Sequence, residues 1–107
     1  VGSLVVADLS AEQWTRLPAQ TIAFLVNEWV LHRKYRDVLE DVGERRLNRA
    51  RSAILTEGLG ELYLHRGMLA PLQPLARSGV DLSAVAAALP PDADPQSRTV
   101  LAMLAGD

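Results

Sequence analysis

Hydrophobic side chains recur along most of this chain every three to four residues, the spacing that places them on one side of an α-helix. The strongest pattern lies in residues 19–42, where eight of the ten residues from 22 to 31 are hydrophobic. A segment that is apolar on almost every side is typical of a helix at the centre of a fold. Its second half is amphipathic, with an apolar side formed by Leu31, Tyr35, Val38 and Val42. We therefore predict a central helix over about 19–42 that ends near Gly43, a residue type favoured just past a helix C-terminus.

A second long helix is predicted over about 44–66. Its apolar stripe, at helical spacing, consists of Leu47, Ala50, Ile54 and Leu62. Gly58 and Gly60 lower the helix propensity locally, and Gly67 is a suitable stop. Because the turn around Gly43 is short, we expect the two long helices to pack as an antiparallel hairpin.

Four shorter helices are predicted from local start and stop signals. Ser10 and Gln13 have the spacing of a capping box, and the pair Asp94 and Pro95 is a typical helix start. The four run from Ser10 to about Leu17, from about Pro71 to Gly79, from Asp81 or Ser83 to Leu89, and from Asp94 to Gly106. No segment alternates with a period of two for long enough to predict a strand. The predicted fold class is all-α: a single domain over 1–107, built as a compact bundle of five or six helices, with an extended lead over 1–9 and a loop over 90–94.

Composition adds few constraints on function. The chain has 107 residues, 49% of them hydrophobic, and a net charge of −2, which is ordinary for a globular domain. It contains no cysteine, so disulfides, thiolate metal sites and cysteine nucleophiles are excluded. The longest apolar stretch, residues 22–31, is too short to cross a bilayer, and residues 1–6 lack a basic leader. We expect a cytoplasmic protein with no membrane partner, and the abundance of Arg, Ala and Leu suggests a bacterial source.

One six-residue pattern occurs twice, thirty-three residues apart. Residues 28–33 read Glu-Trp-Val-Leu-His-Arg, and residues 61–66 read Glu-Leu-Tyr-Leu-His-Arg. The copies hold the only two histidines, each four residues after a glutamate, and on a helix this spacing puts both side chains on one face. If the two long helices are neighbours, Glu28, His32, Glu61 and His65 could converge on one site.

Two interpretations of these Glu/His pairs remain open. In the first, the four side chains hold Fe, Mn or Zn, or the bundle binds haem, as in a metalloprotein that could be oxidoreductase-like. Dinuclear iron bundles use Glu-x-x-His with further glutamates, however, and the spacing here is one residue longer. In the second, each glutamate accepts a hydrogen bond from its own histidine. We favour the second, so no cofactor is expected.

Basic residues are concentrated between positions 33 and 51. The seven are Arg33, Lys34, Arg36, Arg45, Arg46, Arg49 and Arg51. Four acidic residues are interleaved with them, which leaves a net charge of +3 for the segment. Because those acids can form ion pairs with neighbouring bases, we predict a solvated helix surface and no binding of nucleic acid.

Residues 59–63, Leu-Gly-Glu-Leu-Tyr, followed by Gly67, resemble the first helix of a tetratricopeptide repeat. The resemblance covers about ten residues and implies a helical-hairpin scaffold that binds peptides. It does not extend further, because Leu72 and Ala76 stand where that family has a small residue and an aromatic one. A single unit cannot form the repeat array of that family.

The function predicted from sequence is a helical protein–protein interaction or adaptor domain that self-associates as a homodimer or belongs to a larger assembly. The argument is an excess of apolar surface for a small domain. The candidate interface residues are Trp14, Val100, Leu101, Met103 and Leu104. No catalytic residue is predicted, since no serine lies in a nucleophile motif and no glycine-rich phosphate loop occurs.

Overall fold

A computed structural model describes residues 9–42 and 61–106. Within these two ranges the chain is helical and contains no strand, which confirms the all-α fold class. The elements are α1 (Ala11–Thr15), α2 (Ala19–Val42), a 3₁₀-helix η1 (Arg66–Leu72), α3 (Gln73–Arg77), α4 (Leu82–Ala87) and α5 (Pro95–Ala105). The predicted loop over 90–94 is present between α4 and α5. Residues 1–8 of the predicted lead lie outside the described ranges.

Three helix starts predicted from sequence are confirmed by their capping bonds. The Ser10 hydroxyl accepts from the backbone N–H of Gln13, and the Gln13 side chain accepts from the Ser10 backbone, which completes the capping box. Asp81 caps α4, and Asp94 caps α5. These caps satisfy N–H groups that have no partner inside the helix.

The structure confirms the first of the two predicted long helices and not the second. Helix α2 runs from Ala19 to Val42, as expected. The second was predicted to reach residue 66, but residues 61–65 are not helical, and residues 44–60 lie outside the described ranges. The backbone of Leu62 bonds to the side chain of Gln96 instead of joining a helical ladder. The described part of the chain therefore contains one long helix, and the antiparallel hairpin is not confirmed.

The segment that follows residue 65 turns tightly before α3. Pro71 lies inside η1 and Pro74 lies in the first turn of α3, so the predicted helix start is split between two short elements. A proline removes a backbone donor, which short 3₁₀ segments and first turns tolerate. Gly79, with φ of +82°, then reverses the chain in a left-handed conformation that favours glycine.

The core lies between one face of α2 and the short C-terminal helices. Helix α2 packs against α4 and α5, while α3 contacts α1, η1 and α5. The most deeply buried large side chains of the core are Trp14, Ile22, Val26, Val30, Leu69, Leu72, Leu75, Val85, Val100 and Leu101. The first half of α2 is apolar on almost every side but is not buried on every side, because Phe24 is 57% exposed. Among the described residues, no helix combines the length and apolar character needed to cross a membrane.

Candidate functional site

The first Glu/His pair lies on the solvent side of α2. The Nε2 atom of His32 is 3.5 Å from Oε2 of Glu28, longer than an ordinary hydrogen bond. The His32 side chain is 80% exposed and that of Glu28 is 38% exposed. Helical spacing therefore brings these two side chains together as predicted, in a loose contact at the surface.

The second pair does not have the predicted geometry. Because residues 61–65 are not helical, Glu61 and His65 do not share a helix face. Four residues of extended chain span about 13 Å, against about 6 Å on a helix. His65 instead begins η1, where its Nδ1 atom accepts a hydrogen bond from the backbone N–H of Met68 at 3.3 Å. The expectation of two equivalent helical pairs is thus corrected.

No group of three or more His, Asp or Glu side chains suited to a metal ion occurs among residues 9–42 and 61–106. Of the four predicted ligands, Glu28 lies beside His32, and His65 caps η1. Binding of Fe, Mn or Zn by the four predicted ligands stays a prediction.

Four of the five residues predicted to form an interface lie in the core. Each has at most 2% of its surface exposed: Trp14, Val100, Leu101 and Leu104. Met103 is partly buried against the same core. Because α5 packs on α2, α3, α4 and η1, its apolar side is covered within the chain. In this conformation these positions offer little or no surface to a partner, and an interface that includes them stays a prediction.

The strongest polar cluster of the described residues is a buried ion pair. The Nζ atom of Lys34, on α2, donates to Oδ2 of Asp94 at 2.6 Å, and the two side chains are only 4% and 10% exposed. The other carboxylate oxygen, Oδ1, accepts the backbone N–H of Gln96 at 2.9 Å and caps α5. One carboxylate thus joins the middle of α2 to the start of α5.

Asn27 reinforces the same contact two helical turns earlier on α2. Its Oδ1 accepts both the backbone N–H of Asp94 and the hydroxyl of Ser97, each at 2.9 Å. Ser97 has no exposed surface. Its hydroxyl is therefore held in a structural bond and is closed to a substrate in this conformation.

Sequence reasoning missed this cluster. Lys34 was interpreted as part of a solvated basic segment, whereas it is buried. A signal was present, because Asn27 interrupts the apolar run and Lys34 follows seven residues later on the same side of the helix. The partner Asp94 had been identified only as a helix cap.

An extended segment, residues 61–65, is attached to the start of α5. The side chain of Gln96 accepts the Leu62 N–H and donates to the Leu62 C=O, both at 2.9 Å. The N–H and C=O of one residue point the same way only when the backbone is extended. Leu62 is buried, while its neighbour Tyr63 is 83% exposed and lies with its ring centroid 5.7 Å from that of His65.

Phe24 and Tyr63 are the two large hydrophobic side chains that are mainly exposed in the described part of the chain. Phe24 lies on the side of α2 opposite the buried Val26 and Val30. Tyr63 stands on the extended segment. Neither is one of the five predicted interface residues.

Comparisons with protein-family models, with curated proteins and with solved structures find no match to this chain.

Proposed function

We propose that this chain is a helical protein–protein interaction domain that self-associates, as a homodimer or as a subunit of a larger assembly. The observation that carries the proposal is the exposure of two aromatic side chains, Phe24 at 57% and Tyr63 at 83%. Aromatic residues are enriched in the buried centres of protein interfaces, where a few of them provide most of the binding energy.

The arrangement of the core supports this function. Leucine, valine and isoleucine from every described helix except α1 fill the interior together with Trp14, so Phe24 and Tyr63 are not needed there. Burying such a ring against a partner stabilises the complex by about 1.5–3 kcal/mol. Phe24 and Tyr63 are therefore the exposed side chains that we expect a partner to contact.

The polar groups support binding over catalysis. The Lys34–Asp94 pair and Ser97 are buried and bonded to one another through Asn27 and the α5 backbone. A reacting group must reach its substrate, and these groups already have partners. They hold α5 on α2.

The alternative function, a metal- or haem-binding helical bundle, has support from the exposed Glu28–His32 contact alone. Two ligands from one helix turn are a minimal part of a metal site, and further ligands would have to come from elsewhere. Metal analysis of protein purified without a histidine tag separates this alternative from the interaction domain.

Sedimentation equilibrium over a wide concentration range tests self-association. The wild type is expected to sediment at twice the chain mass of 11.6 kDa or at a higher multiple. Phe24→Ala and Tyr63→Ala should each weaken association, by about thirtyfold where the ring lies at the centre of the interface. Gln20→Ala, an exposed change one turn before Phe24, is the matched control and should leave the mass distribution unchanged. A wild-type chain that stays monomeric at every concentration would overturn the proposal.

A further inference from the structure

We infer that the extended segment Glu61–His65 pairs, along the edge opposite Gln96, with the same segment of a second copy, antiparallel about a two-fold axis at Tyr63. The inference rests on the proposed self-association and names its interface. It follows from the backbone geometry of the segment, from its unpaired groups and from its order of side chains.

The backbone at Leu62 and at His65 has the extended geometry that strand pairing requires. Both backbone groups of Leu62 point toward Gln96, and His65 has the extended angles φ −147° and ψ 160°. Exposure alternates along the segment: Leu62 is buried, whereas Glu61, Tyr63 and His65 are exposed. The ring contact between Tyr63 and His65 agrees with side chains two residues apart on one face.

One edge of this segment is occupied by Gln96, and no residue in the described ranges is bonded to the backbone of Tyr63 on the other edge. The Gln96 carboxamide occupies the edge that carries the Leu62 N–H and C=O. The backbone groups of Tyr63 point to the opposite edge, and they form no hydrogen bond with any residue that the structure describes. An edge with unpaired N–H and C=O groups is a template for another strand.

The order of side chains makes the segment complementary to itself. In an antiparallel pair centred on Tyr63, the two Tyr63 residues face each other, and Glu61 faces His65 of the second copy. The Nδ1 atom of His65 accepts the Met68 N–H, so Nε2 is the nitrogen available to donate. Each Glu61 carboxylate then receives a hydrogen bond from the imidazole opposite, and the symmetry supplies this contact twice.

A second copy is favoured over an unrelated strand for this reason. A strand from another protein could pair with the Tyr63 backbone, but it would need a donor and a carboxylate at the two matching positions. This chain carries both, at the required spacing of four residues. A two-fold axis also pairs the two identical edges with each other, so neither edge is left without a partner in the dimer.

Disulfide trapping tests the interface, because the chain contains no cysteine of its own. Tyr63→Cys puts two thiols on directly opposite residues, whose Cα atoms are about 5.5 Å apart in a hydrogen-bonded antiparallel pair, the separation most common in disulfides. Under mild oxidation, at a concentration at which both variants sediment as dimers, Tyr63→Cys should form covalent dimer about tenfold faster than Ala102→Cys, an exposed control on α5.

The register has its own test. A mixture of Glu61→Cys and His65→Cys chains should form the mixed disulfide, whereas neither variant alone should form dimer faster than the control. Fast dimer formation by Glu61→Cys alone would indicate a parallel pair and overturn the inference. Circular dichroism of His65→Cys confirms that loss of the η1 cap leaves the helices intact.

The outcomes also separate this interface from the proposed function. The wild type could sediment as a dimer while Tyr63→Cys and the mixture react no faster than Ala102→Cys. That result would support self-association and contradict this interface. A monomer with no fast disulfide overturns both. Fast trapping of Tyr63→Cys together with the mixed disulfide supports both.

Discussion

Lys34 and Asp94 lie 60 residues apart in the chain and form a buried ion pair 2.6 Å long between α2 and the start of α5. Two charges removed from water are tolerated only when each compensates the other. Their mutual dependence leads to the first prediction.

Lys34→Met should lower the free energy of unfolding by about 3–5 kcal/mol, because it leaves the Asp94 carboxylate buried without its cation. Urea denaturation measures the change. The double variant Lys34→Met/Asp94→Asn keeps a capping oxygen on α5 and removes both charges, so it should recover much of the loss. Equal losses in the single and double variants would show that the ion pair does not determine the stability of this contact.

Asn27→Ala should cost about 2–3 kcal/mol of unfolding free energy, more than Ser97→Ala at about 1 kcal/mol. Asn27→Ala leaves two donors without an acceptor, the Asp94 N–H and the Ser97 hydroxyl, whereas Ser97→Ala removes a donor and its hydrogen bond together. A double-mutant cycle by thermal or urea unfolding gives their coupling. Additive effects would contradict the shared role of the Asn27 oxygen.

Gln96→Ala should release residues 61–65 from α5 while the helices stay folded. Hydrogen exchange followed by NMR is expected to show loss of protection at the Leu62 amide, whose acceptor is the Gln96 side chain. Gln96→Glu is the matched variant: it keeps an acceptor for the Leu62 N–H and loses the donor to the Leu62 C=O. An unchanged Leu62 amide in Gln96→Ala would show that another group holds the segment.

His32→Ala should change the free energy of unfolding by less than about 0.5 kcal/mol, because an exposed pair is screened by solvent. His65→Ala should cost about 1 kcal/mol, since it removes the acceptor at the start of η1. Thermal melting with and without added zinc, manganese or iron measures both. Stoichiometric metal in the wild type, lost in each variant, would favour the metalloprotein alternative instead.

Local contacts explain how much of the fold could be predicted from the sequence. The caps at Ser10, Asp81 and Asp94 and the length of α2 depend on residues two to four positions apart, and these are visible in the order of the chain. The same holds for the Glu28–His32 contact. Such features form from neighbouring residues whatever the rest of the chain does.

For the candidate site, the sequence alone determined less than the tertiary structure did. An identical Glu-to-His spacing is helical at Glu28 and extended at Glu61, because a distant side chain, Gln96, satisfies the backbone in the second case. The burial of Lys34 and the exposure of Phe24 likewise depend on which face of α2 meets α4 and α5. Periodicity determines which side chains share a face of a helix. Whether that face is buried depends on which elements, far apart in the chain, pack against it and exclude water.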